Sequence, residues 1–119
     1  MRIEKKIYKK FSRRDYDYFV IGGDIGGTNT TLGVFGVKNQ FPYLLLSFLF
    51  KSSELKGLHY AVNEAVSNVK NDYNAKIAKM CFGIAGVLSP GKDYVRITNA
   101  EWDVSKILLL RKTKIKNIL

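Results

Sequence analysis

"FVIGGDIGGTNTTLGVFG", residues Phe19 to Gly36, sets an acid in the middle of a run of glycines. Strand-forming residues lead into the run, and β-branched and aromatic residues follow it. The stretch therefore reads as a β-hairpin with a glycine-rich turn. Glycines expose backbone N–H groups and let the chain approach a ligand closely. Asp24 would repel a bare phosphate, so a phosphate held here must bring a cation with it.

Three phosphate-binding turns compete for "GGDIGGTNT". A dinucleotide fingerprint needs glycines at its first, third and sixth positions and a helix directly after them. Here Asp24 interrupts the glycines and a strand follows. A Walker A loop needs Gly-Lys-Ser/Thr, which is absent. The third design is a hairpin turn that offers its amides to a triphosphate while its acid reaches magnesium. Magnesium is usually held through one or two carboxylates, retained waters and substrate phosphates, so a single Asp24 suits it. Gly26 and Gly27 bring the backbone to the phosphate oxygens, with the Thr28 hydroxyl and the Asn29 amide as added donors. The competing reading is an ordinary tight hairpin, in which glycine and Asp or Asn serve turn geometry alone. Four glycines and an acid exceed what a two-residue turn needs, which favours binding.

Outward from this turn, the chain has material for one domain: 119 residues, 46% hydrophobic and 13% aromatic. The lone Cys81 excludes an internal disulfide or a multi-cysteine metal site. It lies in the apolar run 77–85, where a buried, inert thiol is expected. A reducing, cytoplasmic setting follows. The N-terminus is charged throughout and lacks the apolar centre of an export signal. The most apolar run, "FPYLLLSFLF" at 41–50, is about half the length of a membrane span and reads as a buried strand.

The formal charge is +10, and seven of the twenty basic residues fall in the first fourteen positions. Residues 1–17 read as a basic, solvated extension, with a helical face of Ile3, Ile7 and Phe11 as the alternative. No aromatic–basic interleaving marks the tail as a nucleic-acid binder. Beyond it, strands are expected at Tyr18–Gly23, Thr30–Val37 and Pro42–Phe50, with a turn at "KNQ" (38–40). Ser52 or Ser53 should cap a helix whose stripe runs Leu55, Leu58, Val62, Ala65, Val66, Val69 and Tyr73. The only histidine, His59, lies off the stripe and reads as a surface residue. The run 77–84 reads as a strand without clean alternation, which implies helices on both faces. Tyr94–Thr98 reads as a short strand, and Asp103 or Ser105 as the cap of a second helix. Residues 114–119 begin a last strand. Together these give an α/β domain with a mixed sheet.

The hairpin "GGDIGGTNTTLGVFG" resembles the phosphate-binding hairpin of sugar kinases in the actin-like, ribonuclease-H-like ATPase superfamily. It is most similar to bacterial-type glucokinases, whose hairpin reads Asp-x-Gly-Gly-Thr-Asn. A second stretch, "FGIAGVLSPGKDYVRITNAEWDVS" at 82–105, resembles the glucokinase segment in which a Gly-x-Ala-Gly-Pro loop leads to Thr-Asn-x-x-Trp. Val87 departs from the family's usual proline. The resemblance covers 18–119 and implies the N-terminal lobe of that fold, with flanking helices on a mixed sheet. It implies an ATP-dependent kinase acting on glucose or a similar hexose. Gly23, Gly26, Gly27, Thr28 and Asn29 would contact phosphates, and Asp24 would position Mg2+. Gly86, Thr98 and Asn99 would border the sugar cleft, and Trp102 would pack in the core. The family's catalytic aspartate follows a strand resembling "KIKNIL", so it would lie beyond Leu119 and no catalytic base is assigned here.

Half a cleft binds weakly and excludes little water. A missing C-terminal lobe or a homodimer partner is therefore expected to complete it, and the isolated chain is expected to self-associate. The alternative is a non-catalytic nucleotide-binding module or half of a split kinase. Some relatives are repressors that carry a winged-helix domain before the kinase fold, and seventeen residues cannot make one.

Overall fold

The structure, a computed structural model, describes residues 2–84, 86–88, 94–97, 102–113, 115, 117 and 118. The centre is a hydrogen-bonded meander. Strand β2 (Tyr18–Ile25) pairs antiparallel with β3 (Asn29–Lys38), and β3 pairs antiparallel with β4 (Phe41–Lys51). The expected turn at 38–40 narrows to two residues, Asn39 and Gln40, with φ of 51° and 67°. Positive φ at both central positions is the hairpin geometry that matches the strands' own twist.

Helix α1 (Leu58–Tyr73) then crosses one face and leads into β5 (Ile77–Ile84), which pairs parallel with β2. Left-handed Asn74 (φ 53°) ends α1, its N–H reaching the Lys70 carbonyl at 2.9 Å. The core lies between α1 and this face. Leu58, Ala61, Val62, Ala65 and Val69 of α1 are buried, as are Ile21, Ile25, Leu32, Val34, Leu46 and Phe50 of the sheet.

Four expectations change. The first concerns the N-terminal tail, which is neither solvated throughout nor a helix over Ile3, Ile7 and Phe11. Residues Ile3–Ile7 form β1, antiparallel to β4, so the sheet reads β1-β4-β3-β2-β5. The chain then folds back so that Phe11 stacks on Tyr73 at 4.1 Å and meets Phe19 at 5.8 Å. Lys5 pairs with Asp72 at 3.0 Å. The Ile–Lys pattern is too short to reveal its period, and the free edge of β4 decides it.

The second change is the start of the helix. Ser52–Glu54 form a single 3-10 turn and α1 begins only after Gly57. Ser52 lies inside that turn, and its hydroxyl is directed back to the Gly26 carbonyl, described below.

The third change concerns β5. Its weak alternation comes from a bulge, since Phe19 faces Ile77 while Val20 faces Lys79. Ala78 is the extra residue, and beyond it the strand alternates normally. Among the described residues, neither helix packs on the second face of the sheet. Cys81 lies on that second face, in register with Gly22, and is exposed rather than buried.

The fourth change is a second, three-stranded antiparallel sheet. It comprises β6 (Gly86–Leu88), β7 (Tyr94–Ile97) and β8 (Asp103–Ser105). It leads into α2 (Lys106–Thr113), where the Ser105 hydroxyl accepts from the Leu108 N–H at 3.3 Å, so Ser105 is the cap. Of the expected last strand, Asn117 accepts from the Met80 N–H at 3.0 Å and Ile118 bridges Met80 in parallel. Among the described residues no helix is long and apolar enough to cross a membrane.

If the folded-back N-terminal segment contributes to the core, Phe11→Ala should lower stability by about 2 kcal/mol. Urea denaturation followed by circular dichroism measures this, and an unchanged midpoint would make the stacking on Tyr73 incidental.

Candidate functional site

The glycine run divides into two parts with different jobs. Gly22 and Gly23 belong to β2, and no described glycine has a left-handed φ. A Cβ on Gly22 would sit 3.1 Å from the Phe35 ring. One on Gly23 would meet the Phe82 ring at 2.6 Å and Leu32 at 2.8 Å. These two glycines make room for neighbours, so the turn proper is only Gly26–Thr28. Asp24 likewise stands one residue before the end of the strand, exposed, and not at the middle of a turn.

The turn is closed by the Gly26 N–H, which donates to the Asn29 carbonyl at 2.9 Å. Thr28 and Asn29 are exposed, while Gly26 and Gly27 are half-buried. Asp24 faces Thr31 on one side and Gly83 of β5 on the other. Alternation puts Asp24, Asn29, Thr31 and Lys51 on the face of the sheet that α1 does not cover. Lys51 is the cross-strand partner of Asn29 and brings a positive charge beside the turn. An acid, a cation and a set of turn amides thus meet at one end of the sheet. It is the end where parallel strands β2 and β5 both finish, the usual place for a ligand in an open α/β sheet.

The turn is fastened from below by Ser52. Its N–H donates to the Thr28 carbonyl at 2.9 Å, and its hydroxyl donates to the Gly26 carbonyl at 2.6 Å. The Ser52 and Thr30 hydroxyls lie 2.9 Å apart, and both residues are fully buried. Neither Lys51 nor Ser52 was marked as a site residue by the sequence. The available signal was the period of two along Ser47, Leu49 and Lys51, which carries Lys51 to the ligand side and Ser52 inward.

Beyond β5, Gly86 opens β6 directly opposite Ile97. That pairing places Gly86 beside the residue before Thr98, and Thr98 and Asn99 themselves lie outside the described residues. Trp102 is buried as expected, and its indole N–H also donates to the Ser52 carbonyl at 2.9 Å. His59, half-buried at the start of α1, packs its ring on Tyr60 at 4.3 Å. Burial, and then the Lys112 charge, push its pKa below the ordinary histidine value.

A model of the glucokinase family matches residues 21–119. The chain belongs to the glucokinase family. Its fold is shared with solved sugar kinases. It is similar to glucokinase from Balamuthia mandrillaris, solved in complex with glucose, with a TM-score of 0.58 and 21% identity over 75% of this chain. It is also similar to a sugar-kinase candidate from Cytophaga hutchinsonii, with a TM-score of 0.59 and 17% identity over 84% of this chain. The glucokinase-family chain spans 23% and 35% of the lengths of those two proteins. No curated protein sequence matches it. The family match begins inside β2, so β1 and the aromatic fold-back precede the family region.

Gly23→Ala should cost about 1–3 kcal/mol of stability, because the added methyl must displace Phe82 or Leu32. Calorimetric melting checks this, and an unchanged melting point would mean that those side chains yield freely. For His59 the unfolded chain binds its proton at higher pH than the folded one. Stability should therefore fall as pH drops through the ordinary histidine pKa of about 6.5. In His59→Gln that part of the slope in a pH series of urea midpoints should disappear.

Proposed function

We propose that this chain is the phosphate-binding part of an ATP-dependent hexose kinase that phosphorylates the 6-hydroxyl of glucose or a similar sugar. The observation that carries this reading is the meeting of Asp24, Lys51 and the Gly26–Asn29 turn at the shared end of β2 and β5. The same strand β5 runs on toward Gly86, beside the segment that enters Thr98 and Asn99. The proposed sugar-side residues thus follow in the chain after the strand that flanks Asp24 through Gly83.

The donor set suits a magnesium–nucleotide and not a metal held by protein alone. Among the described residues, no three His, Cys, Asp or Glu side chains gather around one point. One exposed carboxylate beside backbone amides leaves most positions around a cation to water and phosphate oxygens. When bound, Mg2+–ATP supplies the transferable phosphoryl group and neutralises its charge. Asp24 orients that cation. The amides of Gly27 and Asn29, with the Thr28 hydroxyl, hold phosphate oxygens, Gly26 lets the backbone approach them while its own N–H closes the turn, and Gly23 keeps the strand close behind them. Lys51 offsets negative charge at the turn's rim. Gly86, Thr98 and Asn99 border the sugar. By family resemblance the aspartate that takes the sugar's proton lies beyond Leu119. A C-terminal lobe or a second copy would then complete the cleft, and the reaction would serve cytoplasmic glycolysis.

Titration calorimetry with ATP tests this directly. Asp24→Asn should weaken ATP binding about tenfold, or ~1.4 kcal/mol, in the presence of magnesium and should not weaken magnesium-free binding, where the lost charge had only repelled the phosphates. Equal affinities for the two proteins in magnesium would leave the hairpin a purely structural turn.

A further inference from the structure

We propose that Ser52 and Trp102 are positioning residues that tie the phosphate turn to the sugar-side segment, so that the two move as one unit. This rests on the reading of Gly26–Asn29 as the nucleotide turn.

Ser52 uses every polar group it has. A carbonyl oxygen can only accept, so the single Ser52 hydroxyl proton goes to the Gly26 carbonyl at 2.6 Å. The Thr30 hydroxyl must then be the donor in the 2.9 Å contact with Ser52 Oγ. The Ser52 N–H holds the Thr28 carbonyl at 2.9 Å, and the Ser52 carbonyl accepts from Leu55 at 3.2 Å. That same carbonyl accepts from the buried Trp102 indole at 2.9 Å. A buried polar group left without its partner is costly, so this set is held or lost together.

The consequence reaches the amides that face a ligand. No described peptide bond is cis. In a trans peptide the carbonyl and the following N–H point in opposite directions. With the Gly26 and Thr28 carbonyls drawn toward Ser52, the N–H groups of Gly27 and Asn29 are turned away from it. Ser52 thus aims two donors without touching anything they bind. Trp102 stands three residues after Asn99, and its indole fixes where Ser52 sits. A shift of Trp102 would pull on the Ser52 carbonyl and re-aim the turn.

The test uses three single variants of the 119-residue chain and the Trp102→Phe/Ser52→Ala double variant. Trp102→Phe keeps a ring and removes the N–H, Ser52→Ala removes one hydroxyl, and Ser52→Thr retains it. Amide hydrogen exchange across residues 26–30 should quicken about fivefold in the first two, the effect of losing one buried hydrogen bond. Exchange in the core of α1 should stay at the parent rate, and Ser52→Thr should behave as the parent. Affinity for Mg2+–ATP should fall about fivefold in the first two variants. The double variant should be no weaker than the worse single one, because both act through one chain of bonds. Should Trp102→Phe not fold, Ser52→Ala decides alone. Unchanged exchange in the turn, or exchange that rises only in step with global unfolding, would overturn the inference. If the parent chain binds no Mg2+–ATP, the nucleotide reading fails while the exchange comparison still decides the coupling.

Discussion

Strand β2 is hydrogen-bonded along both edges, in opposite senses. Its antiparallel partner β3 is reached by a three-residue turn and its parallel partner β5 by a long crossover through α1. That double commitment fixes the rest. It places the glycine turn and the end of β5 at the same end of the sheet. It also forces Gly23 to be small, with Leu32 of β3 on one side and Phe82 of β5 on the other, while Gly22 makes room for Phe35 of β3. The residues with chemistry can then be few and exposed, because their backbone is held from two sides.

Much of this was legible because local patterns and tertiary pairing agree. The meander from Tyr18 to Phe50, the stripe of α1 and the strand at 77–84 all follow from period and turn chemistry. The errors share a cause, which is that one extra residue changes what a period means. Ala78 bulges out of β5 and made a half-covered strand look covered on both faces. Leu45 does the same in β4, where Val34 faces Leu46 but Phe35 faces Leu44, giving consecutive buried leucines. Cys81 was misplaced for the same reason. Five residues of β1 carry no readable period, and only the open edge of β4 selects a strand for them.

The site was legible in its donors and not in its supports. Asp24, the turn glycines and Asn29 announce themselves by type and spacing. Ser52 does not, because a serine after a strand usually means a helix cap, and nothing local shows that its hydroxyl turns back toward residue 26. Trp102 reads correctly as core, yet burial of an indole always raises the question of where its N–H goes. Here the answer, 26 to 52 to 102, spans most of the family region.

The pairing of Ile3 with Phe50 has a kinetic side. Contacts between distant residues form late, since a long loop must close before they repay its entropy. The hairpins from β2 to β4 close over short turns and can assemble among themselves. Strand β1 has no partner until residues 46–50 have been synthesised, and Phe11 has no Tyr73 until α1 exists. Strand β1, made before its partners, is thus among the last of these elements to be placed. Its lysines suit that wait, since a charged strand with an open edge resists pairing with the wrong neighbour.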